Sequence, residues 1–161
     1  MHIHLVTTGG TIDKVYFDAQ SSYEVGEPQV DRMLQQANVT FDYDVTTLFR
    51  KDSLDLTDED RQAIVEAVRE LSGDRVVVTH GTDTMVETAR ALRDGVDGKV
   101  VALVGALNPS RFRDSDAFFN VGFAMAAVQT LSAGVYITMN GRVLAPEHAR
   151  KNRNANRFET T

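Results

Sequence analysis

The sequence predicts a single doubly wound α/β domain built on a mainly parallel sheet. Three observations carry that prediction. Continuous apolar runs such as "RVVVTH" and "KVVALVG" suit strands covered on both faces, which belong to parallel sheets. Stretches with apolar residues at helical spacing lie between those runs, so the order is strand, helix, strand, helix. No internal repeat or interdomain linker interrupts the 161 residues, so 1–161 reads as one domain with no second, C-terminal domain.

"IHLV", ended by "TTGG", is the first buried strand. The stretch from Asp13 to Gly26 has no clean period and reads as a long loop, a kind of segment that often carries function. Pro28 suits a first helical turn, and Val30, Met33, Leu34 and Ala37 follow at helical spacing. "VTFDYDV" alternates as a half-buried strand does. Thr57 with Asp60 predicts a capped helix whose apolar face is Ile64, Val68 and Leu71 and whose end is Gly73. After "RVVVTH", Thr84 with Glu87 reads as a capping box, opening a helix toward Gly95. "KVVALVG" is the next buried strand. "SDAFFNVGFAMAAVQTL" is apolar nearly all round and reads as a buried helix, in the core or an interface. "GVYITM", "NG" and "RVL" give strand, tight turn and short strand. This is the doubly wound order of flavodoxin- and Rossmann-like sheets.

Composition removes several classes of function. Hydrophobic residues at 42% and charged residues at 25% are globular values and argue against disorder. A net charge of −6 argues against nucleic acid as a partner, which needs a basic surface. The absence of cysteine excludes disulfides, thiolate catalysis and thiolate metal sites. No apolar run reaches the roughly 20 residues of a membrane span. "MHIHLV" lacks the basic and apolar regions of a signal peptide, so the cytoplasm is the expected compartment.

In open α/β sheets ligands bind at the carboxyl ends of the strands. "TTGGT", "HGTDT" and "GALNPS" all converge there. The first two set hydroxyls just past a strand, beside backbone amides near a helix start that can stabilise an oxyanion. A threonine hydroxyl becomes a nucleophile when a neighbouring base takes its proton, and Thr11 and Thr82 are the candidates. Asp83 adds a carboxylate, to bind a cationic group or to orient a lysine. Two hydroxyls and a carboxylate in one crevice suit acyl transfer better than redox chemistry.

Each motif alone has a plainer reading. "GGT" after a first strand is commonly a tight turn or a phosphate loop. Thr82 and Asp83 are ordinary helix-start residues beside Thr84 and Glu87. His80 reads as locally packed rather than as a metal ligand, and no metal or cofactor is expected. Tyr23 in a polar loop is usually a solvated aromatic. "RKNRNANRF" reads as a solvated basic tail, Lys151 included. Asp52 and Asp55 are normal turn and first-turn acids.

Taken together, "TTGGTID", "HGTDTMVETA" and "VGALNPS" resemble, in order and spacing, the L-asparaginase family. The resemblance runs over essentially the whole chain and corresponds to that family's N-terminal catalytic domain. It is strongest to the short single-domain bacterial members, which "RKDSLDLTD" and "MNGRV…RKNR…RFE" also fit.

The resemblance implies an amidohydrolase that converts L-asparagine to L-aspartate and ammonia through a covalent acyl-enzyme. It makes Thr11 the nucleophile and Tyr23 its activating partner on a lid. Thr82, Asp83 and Lys151 become the second catalytic set. Ser53 would help hold the substrate α-carboxylate, Asp83 would reach the α-ammonium, and the Ala106 carbonyl would face the leaving nitrogen. The adjacent Asp83 would favour the ammonium form of a lysine, which leaves two roles for Lys151, base or orienting group. The family also implies a homo-oligomer, a dimer or tetramer. Its C-terminal domain usually supplies an acid near the tyrosine, so no acid is assigned to Tyr23 here. Leu54 stands where the family more often has a polar residue and is expected to line the pocket floor, making glutamine the poorer substrate. The alternatives are a glutaminase-asparaginase of broader specificity, a non-catalytic amino-acid-binding domain, and a nucleotide-binding module, for which no GxGxxG or GK[ST] loop is present.

Overall fold

The fold is described from a computed structural model covering residues 1–16 and 22–161. Its centre is a six-stranded sheet of β4 (Asp42–Lys51), β1 (His2–Gly9), β5 (Arg75–Thr79), β6 (Val100–Val104), β7 (Gly134–Met139) and β8 (Arg142–Leu144), in that spatial order. The first five are parallel and β8 pairs antiparallel with β7. Asn140 and Gly141, both at positive φ, make the tight turn that "NG" predicts. Two hairpins stand apart from this sheet. One joins β2 (Lys14–Tyr16) to β3 (Tyr23–Val25), and the other joins β9 (Ala149–Asn152) to β10 (Arg157–Thr160).

The strands alternate their side chains between two apolar layers, as a period of two requires. Val76 and Val78 face α2 (Asp58–Glu70) and α3 (Met85–Gly95), where Ile64, Val68, Ala89 and Leu92 are buried. Ile3, Leu5 and Val77 face α1 (Val30–Gln36) and α4 (Ala117–Thr130), meeting Met33, Leu34, Val121 and Ala124. This arrangement gives the doubly wound fold that the apolar runs predict. Its parallel strands follow the order second, first, third, fourth, fifth, which sets a switch point between β1 and β5.

The helix faces also fix the hand of each crossover. The connections β1–α1–β4, β4–α2–β5 and β5–α3–β6 share one hand. The connection β6–α4–β7 moves in the same direction as β5–α3–β6 but crosses the opposite face, so its hand is reversed. Because about 98% of such units are right-handed, β6–α4–β7 is the exceptional left-handed one. Its turn is clamped at the start. The Asp116 carboxylate accepts from the backbone of Leu107 and Asn108, and from Asn120 Nδ2 at 2.8 Å. Asn120 Nδ2 also donates to the Gly105 carbonyl.

Several local expectations are corrected. Asp13–Gly26 is not loop throughout, since Lys14–Tyr16 and Tyr23–Val25 pair as strands; its middle lies outside the described residues. Thr57 and Asp60 do form a capping box. Thr84 and Glu87 do not, because the Thr84 hydroxyl donates to the Ser53 carbonyl at 2.7 Å instead. Helix α2 stops at Glu70, short of Gly73. The α4 helix is buried on one side only and leaves Phe118 and Phe119 exposed. The "basic tail" is the β9–β10 hairpin, tied to the body by the buried Phe158. Among the described residues no helix is long and apolar enough to cross a membrane.

Candidate active site

The site begins where β1 ends. Gly9 and Gly10 both take positive φ, a conformation that costs a residue with a Cβ. Gly10 has a second reason to be glycine. A Cβ there would stand 2.4 Å from the nitrogen of Gly81, so the "GGT" and "HGT" loops touch backbone to backbone. Gly81 in turn abuts Ser53, where an added Cβ would meet Oγ at 2.6 Å. At Gly105 a Cβ would meet the His80 carbonyl at 2.4 Å and Thr82 Cγ2 at 3.4 Å. Four loops separated in sequence therefore close on one point at the β1/β5 switch.

His80 fixes the middle of this assembly. It is fully buried, and that burial pushes its pKa down to about 4, so the ring is neutral. Nδ1–H donates to the Gly81 carbonyl at 2.7 Å, and the Thr88 hydroxyl donates to Nε2 at 2.8 Å. The histidine is a locally bonded core residue, as its sequence context implies. It holds the turn that presents Thr82 and Asp83.

Lys151 reaches that turn from the β9–β10 hairpin. Its ammonium donates to Thr82 Oγ1 at 2.8 Å and to Asp83 Oδ1 at 2.9 Å. Arg153 stands 3.7 Å from the same Asp83 oxygen. The Ser53 hydroxyl is buried among these loops with no partner among the described residues. A buried donor in that state is poised for an outside acceptor, because leaving it unmatched costs free energy. Ala106 is buried in the turn that Asp116 and Asn120 clamp from either side.

Thr11 follows directly on Gly10, in a short 3-10 turn, and is partly exposed. The loop contacts thus gather Thr11, Ser53, Thr82, Asp83, Ala106 and Lys151 around the switch point. Tyr23 stands apart. It is 47% exposed on β3, its ring edge-on to Tyr16 at 5.6 Å and tilted against Phe112 at 6.4 Å, and no hydrogen bond links it to Thr11. It lines a cleft of about 570 Å³ with Lys14, Lys51, Asp52 and Leu54. Leu54 is 65% exposed, so it forms the rim of that cleft and not a floor.

Three residues near the site escape sequence reasoning. Lys14 pairs with Asp52 at 2.7 Å and ties the β2–β3 hairpin to the Ser53 loop. Asp116 shapes the Ala106 turn; the one signal for it is Asn120, the polar residue in the stretch 117–128 that is otherwise without polar side chains. Asp13 is buried with Oδ2 unpartnered among the described residues. Burial raises its pKa to about 7, against the lowering effects of the Gln29 amide and Arg50.

Fold and site together define a class: an α/β domain that gathers hydroxyls, a lysine and a carboxylate at its switch point, suited to a small polar ligand. The chain belongs to the asparaginase family; the family description "Asparaginase, N-terminal" matches residues 2–160. It is 30% identical to the "Probable L-asparaginase periplasmic" of Haemophilus influenzae, over 93% of this chain and 46% of that protein. It is 31% identical to the "Glutaminase-asparaginase" of Pseudomonas aeruginosa, over 93% of this chain and 45% of that protein. Among solved structures, the "Probable Cytoplasmic L-asparaginase" of Campylobacter jejuni superposes with a TM-score of 0.85 at 29% identity, covering 99% of this chain and 52% of that one. The chain thus spans about half the length of these relatives.

Proposed function

We propose that this domain, residues 1–161, hydrolyses the side-chain amide of L-asparagine to give L-aspartate and ammonia. The observation that carries the reading is the Lys151 ammonium bridging Thr82 Oγ1 and Asp83 Oδ1 beside the unpartnered Ser53 hydroxyl. In the proposed mechanism the Thr11 hydroxyl attacks the amide carbon and forms a C–O bond. The C–N bond breaks, ammonia leaves with a proton delivered through the site, and water hydrolyses the resulting ester to restore Thr11. Tyr23 is the proposed proton acceptor for Thr11, which requires the β2–β3 hairpin to close over substrate. Lys151 orients Thr82 in the second step, consistent with its two donated hydrogen bonds. Ser53 and Asp83 hold the substrate α-carboxylate and α-ammonium, and the Ala106 carbonyl accepts from the leaving nitrogen.

The working form is proposed to be a cytoplasmic homo-oligomer, a dimer or tetramer. The exposed Phe118 and Phe119 on α4 support an interface there. A glutaminase-asparaginase is the second reading, favoured by the Pseudomonas aeruginosa relative. Ammonia release from asparagine and from glutamine separates the two. Turnover of neither, by protein that binds aspartate, would leave an amino-acid-binding domain.

A further inference from the structure

We propose that His2, His4 and Asp44 form a binding site for a borderline divalent transition-metal ion of the Zn²⁺ class. The site lies at the opposite end of β1 from the crevice. His4 and Gly9 are five strand residues apart, about 16 Å at the usual rise, so the inference is independent of the proposed hydrolysis.

The placement follows from strand geometry. His2 and His4 are two apart on β1 and therefore project from one face. In the parallel ladder His4 lies opposite Asp44 of β4, and His2 lies opposite Asp42. One donor atom from each of His2, His4 and Asp44 falls within 4.8 Å of the others. His2 Nε2 is 2.9 Å from Asp44 Oδ2, and His4 Nδ1 is 3.1 and 2.9 Å from the two carboxylate oxygens. Zinc takes imidazole nitrogen at about 2.0–2.1 Å and carboxylate oxygen at about 2.0–2.2 Å. Ligands on such an ion stand roughly 3.4 Å apart when tetrahedral. The observed spacings need only a small adjustment, and the exposed His2 and Asp44 side chains are free to make it.

The two kinds of ligand select the ion. Paired imidazoles favour zinc, copper or nickel, whereas calcium and magnesium prefer oxygen alone. His4 is already oriented. Its side chain is 10% exposed, and its Nε2 edge lies on Gly73, where a Cβ would stand 2.6 Å from that nitrogen. That seat turns Nδ1 toward Asp44. The remaining coordination positions fall to water, or to Asp42 on the same face of β4. Because β4 is the edge strand of the sheet, a bound ion would clamp that edge to its neighbour and stabilise the fold by mass action.

The test is calorimetric titration of Zn²⁺ into the metal-free full chain carrying no polyhistidine tag, with Co²⁺ absorption as a second probe. We expect one ion per chain, a Co²⁺ ligand-field band and a raised Tm with Zn²⁺. His2→Gln and Asp44→Asn, both at exposed positions, should weaken binding on the order of tenfold or more and remove the Tm shift. His4→Gln should do the same, with circular dichroism reporting whether it folds. Absence of binding would leave an ordinary histidine–aspartate contact and overturn the proposal. Binding unchanged in both His2→Gln and Asp44→Asn would place the ion elsewhere and overturn it equally.

Discussion

Lys151 Nζ donates to Thr82 Oγ1 at 2.8 Å, joining residues 69 apart in the chain. The same ammonium donates to Asp83 at 2.9 Å. One cation therefore organises two neighbouring side chains, and its removal should leave a hydroxyl without that donor and the Asp83 carboxylate with only Arg153, 3.7 Å away, as counter-charge. Lys151→Met and Thr82→Val should each lower kcat by about 10²–10⁴-fold, the usual range for a group that moves or positions a proton. The double variant should lose little more than the worse single one, because residues acting as a unit are not additive. Ammonia-release kinetics with circular dichroism as a folding control would check this. Additive losses would mean that the two act separately.

Thr11 tests the other half of the mechanism. It sits at the carboxyl end of β1 and is partly exposed, so Thr11→Ala removes a hydroxyl without opening a core cavity. Turnover should fall to near background while Tm changes by little. A variant retaining wild-type kcat would rule Thr11 out as the nucleophile.

Gly10→Ala should damage fold and activity together. The new methyl would lie 2.4 Å from Gly81 N, at a φ of 91° that disfavours any Cβ. The backbone conformation, with ψ of −174° at that positive φ, alone costs about 1–3 kcal/mol, and overpacking adds about 1–3 kcal/mol. Chemical denaturation would read the loss. A variant as stable as wild type would mean that the two loops can separate at little cost.

The two glycine–threonine motifs, "TTGGT" and "HGTDT", are legible in sequence because their chemistry is local. A strand end, a glycine that frees the backbone and a threonine beside it occupy a few adjacent residues. Long-range partners are not legible in the same way. Lys151 lies in a stretch that reads as a solvated tail, and only the β9–β10 pairing turns it inward. Thr84 satisfies a capping pattern, yet its hydroxyl finds the Ser53 carbonyl, a tertiary acceptor that no local rule contains. The strands β2 and β3 have three residues each, too few to display a period. The reversed hand of β6–α4–β7 depends on which face α4 covers. A helix apolar nearly all round carries no mark of that choice.

Phe118 and Phe119 should mark a contact between copies. Phe119 is 63% exposed and stacks on Phe123 at 6.3 Å, forming an aromatic patch on the outer side of α4. Sedimentation should show a dimer or larger for the wild type, and a shift toward monomer for Phe118→Ser/Phe119→Ser. A wild-type monomer across the micromolar range would remove the interface.

Asp13 and His80 should give the protein opposing pH dependences that nearly cancel. Burial raises the Asp13 carboxyl from 3.8 to about 7. Between those values the folded state holds a proton that the unfolded chain releases. Its contribution is fully present below about 3.8 and is lost as pH rises through about 7. Burial lowers His80 from 6.5 to about 4. Between those values the unfolded chain takes up a proton that the folded state refuses. Its contribution is fully present above 6.5 and is lost as pH falls through about 4. Each slope approaches about 1.4 kcal/mol per pH unit, and the two windows overlap from about 4 to 6.5. These two groups together should therefore leave stability nearly level there. Asp13→Asn keeps an acceptor for the Gln29 amide but removes the titration, so the His80 slope should emerge and stability should rise with pH. Denaturant unfolding of both proteins across this range is the measurement. The difference between the two curves cancels groups that titrate alike in both proteins and isolates Asp13. Parallel curves would show that Asp13 is ionised in the folded state throughout.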